Sequence, residues 1–218
     1  MNQTLVNAVP EAVADRLDAG LAALDISPDA GQRERLLGLL ALLHKWNRAY
    51  NLTAVRSLDE MVTKHLIDSA SVLDHVHGPR LLDVGAGPGL PGLVLAILKP
   101  ALQVTLLDSN GKKVRFQRQA VFELGLANVT PSQARVESFE ATPFDQVISR
   151  AFASLEDFIG LTAPLLAENG EWLAMKGKAS DEELAALPDG VTLVERRALA
   201  VPGEEGARHL LTLARRTD

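Results

Sequence analysis

Between Leu36 and Trp46 the chain holds almost no polar position. Leu36, Leu37, Leu39, Leu40, Leu42, Leu43 and Trp46 give a broad apolar face at helical spacing. Upstream, Ser27-Pro28-Asp29 reads as an N-cap, a proline at the first helical position and an early acid. Downstream, Ser57-Leu58-Asp59-Glu60 has the form of a capping box, and Leu58, Met61, Val62, Leu66, Val72 and Leu73 continue a helical stripe. His77-Gly78-Pro79 then reads as a turn. Residues 1–79 are therefore expected to form a helical extension.

From Arg80 the period changes. Short apolar runs at Arg80–Val84, Gln103–Leu107, Asn128–Ser132, Asp145–Ser149 and Trp172–Lys176 read as strands. Helical stretches separate them: Leu90–Leu98 ahead of Pro100, Lys112–Leu124 ahead of Gly125, and Ser154–Leu166 with Asn169-Gly170 behind it. Such alternation predicts an α/β domain over residues 80–218, with a mostly parallel sheet covered by helices on both faces. Val191–Ala198 and His209–Ala214 break the rhythm, because only the loop-like Val201-Pro202-Gly203-Glu204-Glu205-Gly206 lies between them. A terminal antiparallel pair is expected, for seven strands in all.

Composition narrows the chemistry. The 218 residues are 47% hydrophobic and include no cysteine, which excludes disulfides, thiolate metal sites and a cysteine nucleophile. No leader pattern and no run of about 20 apolar residues is visible, so a soluble, cytoplasmic protein without membrane contact is expected. Net charge is −6, mildly against a nucleic-acid partner, but the excess acid sits mainly beyond residue 150. A local basic patch decides phosphate binding more than the total does.

The candidate chemistry centres on Asp83-Val-Gly85-Ala-Gly87-Pro-Gly89-Leu-Pro-Gly92, a glycine turn behind a strand and ahead of a helix. Backbone N–H groups and a positive helix end converge at such a turn. A triphosphate loop needs a lysine where Leu93 stands, so that ligand fails. Gly87, Gly89 and Gly92 satisfy a dinucleotide pattern, and Asp108 ends the next strand where an acid can take ribose hydroxyls. NAD stays open, although the motif starts earlier, at Asp83 and Gly85, Pro88 and Pro91 stiffen it, and the terminal strand pair suits it poorly. S-adenosylmethionine, with a ribose and no phosphate, is the third candidate. A turn that only packs helix on strand is the bland alternative.

Further segments carry a resemblance. Trp46-Asn47-x-x-x-Asn51-Leu52-Thr53, Lys64-His65-Leu66-Ile67-Asp68-Ser69 and the glycine loop are followed by Leu107-Asp108-Ser109, Lys112-Lys113 and Arg135-Val136-Glu137. Phe144-Asp145, Val147-Ile148-Ser149-Arg150-Ala151-Phe152-Ala153, Met175-Lys176-Gly177-Lys178 and Arg208-His209-Leu210 complete the series. Together they resemble the RsmG family, also called glucose-inhibited division protein B, from about Trp46 to the C-terminus. The resemblance implies a Rossmann-like class I methyltransferase with an N-terminal helical extension. It implies transfer of a methyl group from S-adenosylmethionine to N7 of one guanine in bacterial 16S ribosomal RNA, leaving S-adenosylhomocysteine. The partner would be that RNA, in the small ribosomal subunit or an assembly intermediate, with no metal. By motif, Gly85 and Leu90 in the loop (with Gly87 and Gly89), Val136, Glu137 and Arg150 would hold the cofactor, and Asp108 joins them from strand geometry.

Substrate contacts are less determined. Lys176 and Lys178 at the fifth strand's end, and Arg197 and Arg208 in the terminal pair, are candidates for meeting RNA phosphate. His65 reads equally as an edge histidine with a satisfied hydrogen bond or as a site residue, and Asn51 as a turn cap or a nucleotide contact. Lys112, Lys113, Arg115 and Arg118 fit a solvated helix face, and Phe152 is either core or a base-stacking ring. Ring-nitrogen transfer needs positioning and no general base, so no catalytic side chain is assigned. A class I methyltransferase acting on another RNA or a small molecule is the alternative; an NAD-dependent oxidoreductase and a non-catalytic S-adenosylmethionine sensor stand behind it.

Overall fold

The computed structural model describes residues 7–177 and 181–216. Two helices open it, α1 (Glu11–Ala22) and α2 (Ala30–Tyr50). Next comes one continuous helical segment: α3 (Leu58–Met61), a π-helical turn (Val62–Ile67) and α4 (Asp68–Ala70). The α2 cap lies two residues beyond the expected one. Asp29 is the cap, its carboxylate accepting from Gln32 N while the Gln32 side chain accepts from Asp29 N. Ser57 does cap α3, accepting from Glu60 N. Its partner bond differs from the expected box, because the Glu60 carboxylate takes the Ser57 hydroxyl.

The sheet follows as β1 (Arg80–Val84), β2 (Gln103–Asp108), β3 (Val129–Gln133), β4 (Phe144–Ser149), β5 (Leu166–Lys176), β6 (Val191–Ala198) and β7 (His209–Arg215). Between them run α5 (Gly92–Leu98), α6 (Gly111–Leu124), α7 (Leu155–Thr162) and the short α8 (Asp181–Ala185). The strand order is β3-β2-β1-β4-β5-β7-β6. Strands β1 to β5 pair in parallel, and β7 inserts antiparallel between β5 and β6. The order reverses at β1 and β4, so ligands are expected at the carboxyl ends of these strands. Both edges are protected: β3 carries Pro131, and β6 exposes Glu195, Arg196 and Arg197.

Two departures from the sequence expectation concern turns. Asn169-Gly170 lies inside β5, where the pairing with β4 jumps from Phe144↔Leu166 to Gln146↔Glu171. The turn signal is spent on a bulge, and a side chain at Gly170 would meet the Asp145 carbonyl at 2.8 Å. Helix α5 begins at Gly92 and not Leu90, after Pro91.

One sheet face packs α7 against Leu82, Val84, Val147, Trp172 and Leu213. The other joins β1 and β2 residues such as Leu81 and Leu106 to Leu17, Leu36, Leu43 and Leu66 of the extension in one cluster. Helix α2 is covered on two sides, which is why its apolar face is so broad: Leu36, Leu37, Leu39, Leu40, Leu42 and Leu43 are all buried. The extension thereby holds α3, the π turn and α4 over the carboxyl end of β1.

Candidate active site and its family

The turn after β1 is fixed by its neighbours. Gly85 N and Ala86 N donate to the Leu107 carbonyl at 2.8 and 3.1 Å. Gly87 N donates to Asp108 Oδ2 at 2.8 Å, and Asn110 N donates to Asp108 Oδ1 at the same distance. From below, the buried Gln117 side chain donates to the Gly87 carbonyl at 2.8 Å.

The glycines divide into two kinds. Gly89 and Gly92 serve packing, since a side chain there would strike Leu93 at 2.5 Å and Leu106 at 2.3 Å. Gly85 and Gly87 line a cavity, with φ of +66° and +59° that L residues rarely adopt; a side chain at Gly87 would meet nothing nearer than 3.9 Å, whereas one at Gly85 would meet the Ala151 Cβ at 2.7 Å. Asp83 is wholly buried beneath the turn, and its Oδ2 accepts from Gly92 N at 2.7 Å at the start of α5. Its Oδ1 has no partner among the described residues, and burial pushes its pKa up to about 7.

Two cavities meet at Gly85 and Ala151. The first, about 330 Å³, is lined by Val84, Leu107, Ala134, Val136, Phe152 and Leu161, with Asp108 and Glu137 as its acids. Val136 and Glu137 stand on a 3-10 turn (Val136–Ser138) after β3. The Phe152 ring packs on Phe158 at 5.2 Å.

The second cavity, about 470 Å³, is lined by Gly85, Gly87, Leu90, Lys64, His65, Asp68, Arg150, Lys176, Arg208 and His209. Lys64, His65 and Asp68 share one face of the helical segment around the π turn. Arg150 Nη1 donates to Asp68 Oδ2 at 2.8 Å, and Arg208 Nε to Asp68 Oδ1 at 3.3 Å. His65 is 7% exposed; Thr53 Oγ1 lies 2.9 Å from its Nε2 and the Lys64 carbonyl 3.0 Å from its Nδ1. A neutral ring with Nδ1–H donating to the carbonyl and Nε2 accepting from the Thr53 hydroxyl satisfies both contacts. Burial, then the Arg150 charge, lowers the His65 pKa to about 4.

The sequence candidates are thus sorted by geometry. Gly85, Gly87, Leu90, Asp108, Val136, Glu137, Arg150, His65, Lys176 and Arg208 line one cavity or the other. Lys176 does so with its ammonium already engaged, 2.6 Å from Glu183 and 2.8 Å from the Ala153 carbonyl. Gly89 lies in the turn without lining either cavity. Asn51 caps α2 at φ 51° and accepts from Arg56 at 2.9 Å, outside both cavities. Arg197 projects from the β6 edge, 3.7 Å from Glu195, also away from them. Lys178 lies outside the described residues. Asp68, Lys64, Asp83 and Gln117 belong to this region and were not singled out as site residues in the sequence. The signal present was the spacing Lys64, His65, Asp68 on one helix face.

Comparison with known proteins gives the architecture a family. The model of the GidB family, described as rRNA small subunit methyltransferase G, matches residues 32–211. The chain belongs to the GidB family. Its relative from Chromohalobacter salexigens, called ribosomal RNA small subunit methyltransferase G, is 70% identical over 200 residues, covering 92% of this chain and 96% of that protein. The protein of the same name from Pseudomonas paraeruginosa is 52% identical over 212 residues, covering 96% and 99%.

Solved structures share the fold at low identity. A ribosomal protein L11 methylase from Lactobacillus delbrueckii subsp. bulgaricus superposes with a TM-score of 0.55 at 15% identity, over 71% of this chain and 79% of that one. A SAM-dependent methyltransferase from Thiobacillus denitrificans, solved with S-adenosyl-L-homocysteine, gives 0.52 at 14% identity, over 68% and 91%. The seven-stranded class I methyltransferase fold is thereby shown. Among the described residues no helix is long and apolar enough to cross a membrane, and no group of His, Cys, Asp and Glu could hold a metal ion.

Proposed function

We propose that this GidB-family protein uses S-adenosylmethionine to methylate N7 of a guanine in 16S ribosomal RNA, in the cytoplasm, on the small subunit or an assembly intermediate. The observation that carries the reading is the pair of cavities sharing Gly85, one combining apolar walls with the acids Asp108 and Glu137 and one lined by Lys64, Arg150, Lys176 and Arg208. The residues fit the cofactor. Where a Cβ would stand at Gly87, the nearest protein atom is 3.9 Å away, so backbone there is open to a ligand. Asp108, 8% exposed, keeps carboxylate lone pairs beyond its two backbone bonds for ribose hydroxyls. Val136, Phe152 and Leu161 give an apolar slot for a purine, with Glu137 at its rim.

Arg150 makes both its protein bonds through Nη1, to Asp68 and the Lys64 carbonyl, which leaves the rest of the guanidinium for a carboxylate. Bound there, S-adenosylmethionine supplies a methyl group made electrophilic by its sulfonium. Guanine N7 carries its own lone pair, so the protein has no proton to remove and acts by alignment. The buried side chains of the mouth agree with this. The His65 ring has both nitrogens engaged, and Asp68 is held between two arginines. Arg208 and Lys64 face the same cavity and suit an RNA phosphate, Lys64 by exchanging its ion pair with Glu60, 2.8 Å away.

The test is transfer of tritiated methyl to small subunits and to naked 16S rRNA, followed by mapping of the labelled base. Label at a guanine N7 is expected. Label on an exocyclic amine, on a pyrimidine or on protein overturns the assignment.

A further inference from the structure

Asp68 occupies a position that the chemistry above does not explain. It is 5% exposed, yet it faces two guanidiniums that arrive from distant parts of the chain, 82 and 140 residues on. Arg150 comes from the end of β4, and Arg208 from the connection that enters β7. Asp68 itself comes from the helical segment laid across the carboxyl end of β1. Each carboxylate oxygen takes one arginine, Oδ2 Arg150 and Oδ1 Arg208. Two guanidiniums brought to one cavity without a carboxylate between them would repel and turn outward. A buried carboxylate is costly unless paired, and pairing on both sides is what makes this one tolerable.

We infer that Asp68 is a shared positioning residue, which aims Arg150 at the cofactor's carboxylate and Arg208 at the RNA backbone and links the two. The inference rests on the proposed reading of Arg150 as the cofactor arm and Arg208 as the RNA arm. Asp68 contacts neither ligand in this role. A bond drawn on either arm changes how the carboxylate is shared with the other, so cofactor and RNA sites become coupled through a single side chain.

A substituted amide distinguishes this from a bland structural pair. In Asp68→Asn the NH2 faces one guanidinium, which loses its acceptor, and the remaining oxygen is neutral, so the other keeps only a weakened bond and the charge shared by both arms is gone. The cofactor Kd, read by calorimetry, is expected to rise about tenfold and the RNA KM about fivefold, the loss of a charge-assisted bond on each arm. Double-mutant cycles supply the decisive reading. In an Arg150→Ala background, Asp68→Asn is expected to change cofactor Kd by less than about twofold; in an Arg208→Ala background it is expected to change RNA KM equally little. Multiplicative costs in both cycles, or an Asp68→Asn protein with unchanged Kd and KM, overturn the inference.

Wild-type protein gives a second reading should Asp68→Asn not fold. The Arg208 Nε–H resonance, assigned by its loss in Arg208→Ala, is expected to shift when S-adenosylhomocysteine saturates the site. An Arg208 resonance indifferent to the cofactor overturns the coupling. The cofactor cycle and this resonance decide the role of Asp68 wherever the methyl group lands. Failure of the guanine-N7 reading is seen only in the mapped label.

Discussion

The two cavities that meet at Gly85 are built in opposite ways. The smaller takes most of its lining from consecutive stretches after β1, β2 and β3, and sets apolar Val84, Leu107, Val136, Phe152 and Leu161 beside the buried Asp108 and a balanced rim of Lys113, Arg135 and Glu137. The larger collects Lys64, Asp68, Arg150, Lys176 and Arg208 from separate segments, and its character is electrostatic. A cofactor recognised by shape and a few polar atoms needs only local sequence. A substrate recognised by its charge needs side chains that topology alone can bring together. The shared wall is the place where both depend on the same atoms.

Breaking that wall is expected to have the largest effect. Gly85→Ala places a Cβ 2.7 Å from Ala151 in a backbone at φ +66°, so steric conflict and strain combine. Cofactor affinity is expected to fall by more than about a hundredfold, with methyl transfer lost in proportion. Calorimetry showing a change under about threefold would mean that the cavities do not meet at this residue.

Asp108→Ala tests the smaller cavity alone. It removes the carboxylate that anchors Gly87 N and Asn110 N and that we propose meets the ribose. Cofactor Kd is expected to rise more than about tenfold, while the RNA KM at saturating cofactor stays within about twofold. Equal losses in both parameters would erase the division between the two sites.

His209→Gln probes the larger cavity for hidden acid–base chemistry. His209 lines it with Nδ1 3.2 Å from the Gly177 carbonyl, and so is the histidine best able to offer a base. Transfer to a nitrogen lone pair predicts a kcat within about threefold of wild type. A loss of about a hundredfold or more would put a general base back into the mechanism.

The contrast between the cavities also explains what the sequence discloses. All seven strands and the alternation with helices follow from local apolar patterns, and Asp108 follows from its place at the end of β2. The glycine loop reads as a unit because its partners Asp83, Leu107 and Asp108 lie within one strand–turn–helix–strand stretch. Asp68 could not be read this way, since its meaning depends on arginines 82 and 140 residues away. Lys176 sat at a legible strand end, but its engagement by Glu183 depends on a helix too short to show in the pattern. Asn51 is turned to Arg56 at the end of α2, and Arg197 to Glu195 on the β6 edge, neither toward the mouth. Side-chain type was visible, and direction was not.

The smallest expected effect in the wild type comes from two buried groups, one on each side of the wall, whose titrations oppose each other. Burial, opposed by the Gly92 N–H and Arg150 and aided by Asp108, raises the Asp83 pKa to about 7. The folded state therefore holds a proton that the unfolded chain has released, and the stability this gives is lost as pH rises from about 4 to about 7. His65 behaves in reverse. Burial and Arg150 lower its pKa to about 4, against the Lys64 carbonyl and Asp68, so its stability is present above about 6.5 and lost as pH falls toward 4. Each shift corresponds to on the order of 3–4 kcal/mol, and between pH 4 and 6.5 they act in opposite directions. Thermal unfolding across that range is expected to uncover each arm singly. Asp83→Asn should become more stable as pH rises, and His65→Gln less stable, with the wild-type slope between the two. Two variants with parallel profiles would show that the loop and the mouth do not titrate in opposed directions.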